Sequence, residues 1–152
     1  MRKILALAVL VSVLATPAAL AQEEYLELLR EDLKTGKVAL LTEALQLTAE
    51  EGEVFWPIHR EYQVELAALG DQYIKNLKQY AETFESMDDE SAKAVADAFF
   101  KQEEDKLKLW KKYYKKVAKA VTPRRAAQFI QLENQIDLLI GVQIAAETPL
   151  IQ

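Results

Sequence analysis

Apolar residues recur at spacings of three and four along most of the chain after residue 22, a pattern that predicts amphipathic α-helices. In the first segment, from about residue 23 to 45, the apolar stripe consists of Tyr25, Leu26, Leu29, Leu33, Val38, Leu41 and Leu45. In the second, from about residue 49 to 84, it consists of Val54, Phe55, Ile58, Tyr62, Leu66, Leu69, Tyr73, Leu77 and Tyr80. A third helix is predicted from about residue 89 to 121, and a fourth carries Phe129, Ile130, Leu132, Ile136, Leu139 and Ile140.

Short local signals predict where these helices begin. Thr48 is followed three residues later by Glu51, the spacing of a capping box at the start of the second helix. Thr122 is suited to cap the fourth helix, with Pro123 at its first position, where a proline costs nothing. Pro57 falls inside the second helix, where it cannot donate to the carbonyl four residues earlier, so we expect a kink there.

The links between the helices are short, and neighbouring helices are therefore expected to run antiparallel. The sequence has no Asn-Gly or Asp-Gly hairpin signal and no sustained alternation of apolar and polar residues, so no strand is predicted. We expect an all-α fold of long antiparallel helices, with residues 22–152 forming a single helical domain. A closed bundle and an open cradle have the same helix list, and both remain open.

The first residues have the pattern of a secretory signal peptide. Met1-Arg2-Lys3 is a positive start, Ile4 to Leu14 is apolar, and Ala19-Leu20-Ala21 is a cleavage site of the A-x-A kind. The alternative is a membrane anchor, but the apolar run is only about 11 residues, whereas a spanning helix needs roughly 20. We therefore expect cleavage after Ala21, a periplasmic mature protein, and no membrane span once the signal is removed.

Composition narrows the chemistry that the protein can perform. The chain contains no cysteine, which excludes thiol chemistry and thiolate metal sites. Its formal net charge of −5 argues against binding to nucleic acid. The sequence has no glycine-rich phosphate loop, no G-x-S-x-G elbow and no H-E-x-x-H pair. We therefore predict neither an enzyme nor a cofactor.

A metal site is a minor alternative around the single histidine, His59. Glu61 and Glu65 follow it, but a di-iron bundle site needs a Glu-x-x-His pair on each of two helices. One histidine cannot supply that set, and Arg60 places a cation beside any metal. We predict no metal ligands, and metal binding stays only as a minor option.

The third helix has the clearest division into a basic and an apolar side. Leu107, Trp110, Tyr114, Val117 and Val121 are predicted on the apolar side, which Leu109, Tyr113 and Ala120 widen to about half the circumference. The excess apolar surface fits a four-helix core, a dimer interface or a binding groove edged with lysine. The predicted client- or partner-binding residues are Lys108, Lys111, Lys112, Lys115, Lys119, Arg124, Arg125, Trp110 and Tyr113.

Two helix starts resemble each other and resemble a known family. Leu47-Thr48-Ala49-Glu50-Glu51 and Val121-Thr122-Pro123-Arg124-Arg125 are similar to the LTxxQ signature of the Spy/CpxP family of periplasmic stress proteins. This chain departs from the signature at its fifth position, where Glu51 and Arg125 stand in place of Gln. The resemblance implies a small helical protein that forms cradle-shaped dimers and acts as an ATP-independent chaperone or as a modulator of envelope-stress sensing.

A second resemblance covers more of the chain. Phe55-Trp56-Pro57-Ile58, Glu61-Tyr62-Gln63, Pro149-Leu150 and the segment from Phe129 to Asn134 look like a set of exported helical bacterial proteins that carry a Phe-Trp-Pro motif. That set is uncharacterised and supplies no activity.

Two functions from different classes therefore remain. The first is a periplasmic binding protein of Spy/CpxP type, whose partners are unfolded proteins or a sensor protein of the envelope. The second is a structural or assembly component whose apolar excess forms a permanent interface with one fixed protein partner. A homodimer is expected in either case, because the apolar face of the third helix exceeds the needs of one core.

Overall fold

The computed structural model describes residues 36–151, apart from the side chains of Gln143 and Glu147. The predicted signal peptide and the first part of the first helical segment lie outside the described residues. The chain has two compact units, Met1–Leu40 and Leu41–Gln152, and only residues 36–40 of the first are described. The contacts discussed below lie within the second unit.

The fold is all-α, as the apolar spacing predicts, and the described residues contain no strand. Helix α1 includes residues 36–45. Helix α2 is Ala49–Thr83 and is followed by the 3₁₀ turn Phe84–Ser86. Helices α3 and α4 are Asp89–Ala120 and Pro123–Glu147. At 1.5 Å per residue, α2 and α3 are each about 50 Å long.

The helix starts are capped as the sequence predicts. The Thr48 hydroxyl accepts from the backbone N–H of Glu51 at 3.2 Å, and the Glu51 carboxylate accepts from the backbone N–H of Thr48 at 3.0 Å. Asp88 accepts from the Ser91 N–H at 2.9 Å at the start of α3. Thr122 caps α4 with Pro123 in its first turn. These bonds satisfy amide groups that have no partner inside a helix.

Helix α2 continues through Pro57 without interruption. The proline has no amide hydrogen, so the carbonyl of Glu53 receives no intrahelical bond from it, and the helix axis is expected to bend at this point. Pro57 itself is exposed. Its ring therefore adds nothing to the buried core, and its effect on the structure is through the backbone.

Ion pairs and hydrogen bonds show the direction of each helix. Helix α3 is antiparallel to α2, because Glu61 pairs with Lys116 at 2.6 Å, and Glu65, one turn later in α2, pairs with Lys112 at 2.6 Å. Helix α4 is also antiparallel to α3 and so parallel to α2. The antiparallel packing that the short links predict is confirmed.

The buried core occupies one end of this helix arrangement. It consists of Leu41, Leu45, Phe55, Tyr62, Leu109, Tyr113, Val117, Ala126 and Phe129. The rings of Phe55, Tyr62 and Phe129 meet edge to face, with centroids 5.2–5.6 Å apart, and span the space between α2 and α4. Aromatic pairs in this geometry stabilise a core beyond the area that they bury.

The other end has no fully buried side chain among those described. We call it the half-buried end, and it comprises residues 63–108 of the α2–α3 hairpin and residues 134–151. It also carries many of the exposed large apolar side chains, which are Val64, Phe99, Phe100, Leu107, Leu138, Leu139, Val142, Leu150 and Ile151. Its helices therefore leave apolar surface in contact with water.

Candidate binding surface

Charge is segregated along α3. Residues 106–125 contain lysine and arginine but no acidic residue, whereas residues 85–105 contain eight acidic residues and two lysines. A protein with a net charge of −5 therefore has a continuous basic stretch over the second half of α3 and the start of α4. The predicted binding lysines all belong to this stretch.

Two of those lysines are paired within the molecule. Lys112 contacts the Glu65 carboxylate of α2, and Lys108 lies 3.5 Å from Glu104 and 3.3 Å from Asp105 on its own helix. Hydrogen bonds from Lys112 and Tyr113 hold the pKa of Glu65 below its ordinary value. The charges of Lys108 and Lys112 are therefore partly balanced in the protein.

The remaining lysines are free within the described part of the chain. Lys111, Lys115 and Lys119 are exposed on α3, and Arg124 is exposed at the start of α4. None of the four has a hydrogen bond or an ion pair with a residue in the range 36–151. These four residues, which we call the free basic set, carry charge that is available to a partner.

Tyr113, predicted to bind a partner, belongs to the core instead. It has no exposed surface, and its hydroxyl donates to Glu65 at 2.8 Å. The ammonium groups of Lys112 and Lys116 lie 5.4 and 4.9 Å from its ring centroid. Burial raises the pKa of the Tyr113 phenol. The ring cannot meet a partner, because α2 and α3 cover it.

Trp110, the other aromatic residue predicted to bind, is half-buried and holds α3 to α2. Its indole N–H donates to the Tyr62 hydroxyl at 3.1 Å, and that hydroxyl donates to the Glu133 carboxylate of α4 at 2.7 Å. The three side chains thus connect three helices. Burial raises the pKa of the Tyr62 phenol. Only the exposed part of the Trp110 ring is open to a partner.

Arg125 is likewise a structural residue and not a free cation. Its guanidinium donates to the backbone carbonyls of Leu45 and Gln46 and pairs with Glu51 at 3.3 Å. It thereby fastens the start of α4 to the α1–α2 corner. Glu51 and Arg125 are the two positions at which the chain departs from the LTxxQ signature, and here they contact each other.

The buried side of α3 is centred on different residues from those that the sequence predicts. Leu107 and Tyr114, expected on the covered side, are 48% and 39% exposed. Leu109, Tyr113 and Val117 are the buried positions. The buried side of α3 is displaced around the helix because α3 packs against both α2 and α4. The periodicity of α3 alone does not show where those two helices lie.

Glu61 and Glu65 follow His59 in the sequence and suggest only a minor metal option, but in the structure they join α2 to α3. Both carboxylates pair with lysines of α3. Two carboxylates four residues apart on one helix match two lysines four residues apart on an antiparallel neighbour, a spacing that is visible in the sequence. These ion pairs were not predicted because each helix was considered separately.

His59 lies inside the aromatic core. Its ring stacks on Phe55 at 5.8 Å, meets Phe129 edge to face at 6.1 Å, and lies 3.0 Å from the Gln63 side-chain nitrogen. Within residues 36–151, no group of three or more His, Asp or Glu side chains is placed to hold a metal ion.

No family model, no curated protein and no solved structure matches this chain. In the described range, none of the helices combines the length and the apolar character that a bilayer crossing would need.

Proposed function

We propose that the protein is a periplasmic binding protein that holds unfolded or misfolded polypeptides without ATP, in the manner of the Spy/CpxP proteins that its two helix starts resemble. One observation carries the proposal. Exposed apolar side chains and cations that have no partner among residues 36–151 occur together on α3, in a protein that is acidic overall.

This combination suits a non-native chain. Unfolded polypeptides expose apolar groups, which gain about 25 cal/mol for each Å² that they bury. The side chains of Phe99, Phe100 and Leu107 offer such a surface. Lysine stems add apolar contact while their ammonium groups attract acidic segments. Contacts of this kind need no fixed sequence in the client and no nucleotide.

The test is suppression of aggregation of several unrelated client proteins, without ATP, by the purified protein. The variant Lys115→Glu/Lys119→Glu reverses two members of the free basic set. It should suppress aggregation several-fold less well than the wild type, and added salt should weaken wild-type activity, because ions screen such charges within about 8 Å at physiological ionic strength.

The matched control is Lys75→Glu/Lys78→Glu, which makes the same change of net charge on α2. Both lysines are exposed, and neither is paired with a residue of the described range. Circular dichroism should show unchanged helix content in both variants. Equal activity of the two variants would refute a role for the basic set. A wild type that protects no unrelated client would favour the alternative, an assembly component with one fixed partner.

A further inference from the structure

A depression of about 480 Å³ lies at the α1–α2 corner, and none of the residues that line it belongs to α3. Sites for small ligands usually have volumes of about 300–1,000 Å³. Its apolar lining comes from Leu47, Trp56 and Pro57, and polar and charged side chains complete it. Trp56 is half-buried and Pro57 is exposed, so the depression displays part of the Phe-Trp-Pro motif.

A glycine at position 52 keeps the depression open. Counted from the capping residue Thr48, Gly52 is the fourth position of α2, where an apolar side chain often packs on the residue before the cap, here Leu47. Glycine leaves that contact unmade and is a poor helix former. A Cβ at this position would lie 3.5 Å from the indole Nε1 of Trp56. A side chain there would therefore occupy the space beside the indole N–H.

Three polar groups line this depression without a partner in the described range. The indole N–H of Trp56 donates to no residue among 36–151, and Glu53 and Arg60 have neither a hydrogen bond nor an ion pair there. Both charged side chains are exposed. The depression thus offers an anion, a cation and a neutral donor to a ligand.

The two charges are spaced for an extended molecule with a charge at each end. Glu53 and Arg60 are seven residues apart, nearly two helical turns, so they lie on one side of α2 and about 10 Å apart along its axis. Trp56 lies between them. An extended peptide of three residues also spans about 10 Å. Its ammonium end matches Glu53, its carboxylate end matches Arg60, and a peptide carbonyl between them can accept from the indole N–H.

We propose that this depression binds a short peptide, the length of a tripeptide, with its free amino end at Glu53 and its free carboxyl end at Arg60. The apolar lining suits an apolar middle side chain. Hydrogen bonds between charged groups are stronger than neutral ones, so each terminus adds affinity and fixes the orientation. This site goes beyond the proposed function, because its ligand is a small molecule and its residues are not those that meet an unfolded chain.

The test is isothermal titration calorimetry with the tripeptide Ala-Leu-Ala at up to millimolar concentration. The wild type should bind it, and acetylation of the amino end or amidation of the carboxyl end should each weaken binding about tenfold, because each removes a charge-assisted hydrogen bond. Glu53→Gln should bind the free and the acetylated peptides equally, since it lacks the carboxylate that distinguishes them. Arg60→Gln should likewise bind the free and the amidated peptides equally.

Matched substitutions separate the site from net charge and from folding. Glu82→Gln and Arg124→Gln make the same changes at exposed residues that have no partner among residues 36–151, and both should distinguish the peptides as the wild type does. Gly52→Leu should abolish peptide binding, with helix content and aggregation suppression unchanged. A wild type that binds no tripeptide, blocked peptides that bind as well as the free one, or a Gly52→Leu variant that still binds would each overturn the proposal.

Discussion

Replacing Arg125 by methionine should destabilise the protein more than any other single removal of a positive charge from the basic stretch. The guanidinium reaches two backbone carbonyls, at Leu45 and Gln46, and the carboxylate of Glu51. The Arg125 side chain is 23% exposed, so solvent only partly replaces these bonds. Methionine keeps much of the aliphatic packing of arginine but none of its donors.

The expected loss of stability follows from the hydrogen bonds that Arg125→Met removes. A hydrogen bond to a charged group contributes about 1.5–3 kcal/mol net, and the exposed Gln46 carbonyl regains water. We therefore expect Arg125→Met to lower the free energy of unfolding by about 2–4 kcal/mol. For a domain of this size that loss corresponds to a fall in Tm of roughly 8–16 °C. Urea and thermal unfolding, followed by circular dichroism, measure both quantities.

The adjacent Arg124 is a matched control, since it is exposed and has no partner in the described range. Arg124→Met should change stability by no more than about 0.5 kcal/mol, as usual for exposed positions. In a double-mutant cycle, Arg125→Met and Glu51→Gln together should lower the free energy of unfolding by less than the sum of their separate effects, because the two side chains contact each other. If Arg125→Met and Arg124→Met were equally stable, the assignment of Arg125 to the α1–α2 corner would be wrong.

Two further outcomes are expected. Tyr62→Phe removes a donor to the buried Glu133 carboxylate and should lower the free energy of unfolding, measured with urea, by about 1–3 kcal/mol. Tyr80→Phe removes an exposed hydroxyl and should lower it by less. The capping bond, and then Arg125, lower the pKa of Glu51 in the folded state below 4.5, so its contribution is present above that pH and lost as pH falls through the lowered pKa. The Tm of the wild type should therefore fall more steeply with acidification below about pH 4.5 than the Tm of Glu51→Gln; parallel curves would contradict this.

The half-buried end gives the proposed function a physical basis. None of its described side chains is fully buried, although the helices there are as regular as at the core end. Large exposed apolar patches on a protein usually mark an interaction site.

The presence of the helices and the positions where they begin were predictable, because both depend on residues no more than four positions apart in the sequence. The apolar spacing reflects 3.6 residues per turn, and each cap joins a side chain to an amide three residues away. Thr48 and Thr122 therefore cap the helices that the local sequence predicts them to cap. The predicted ends of α2 and α3 agree with the structure to within a residue or two for the same reason.

The burial of side chains around α3 depended on tertiary structure. The sequence alone determined that lysines and apolar residues occupy different sides of this helix, because the angle between residues is fixed by the helix itself. It could not determine that Tyr113 is buried while Tyr114 is exposed, since that depends on where α2 and α4 pack. Arg125 meets Glu51 across 74 positions of the chain. Those two residues are partners only because the start of α4 packs against the α1–α2 corner. For that reason Arg125, predicted from the sequence to bind a partner, has a structural role.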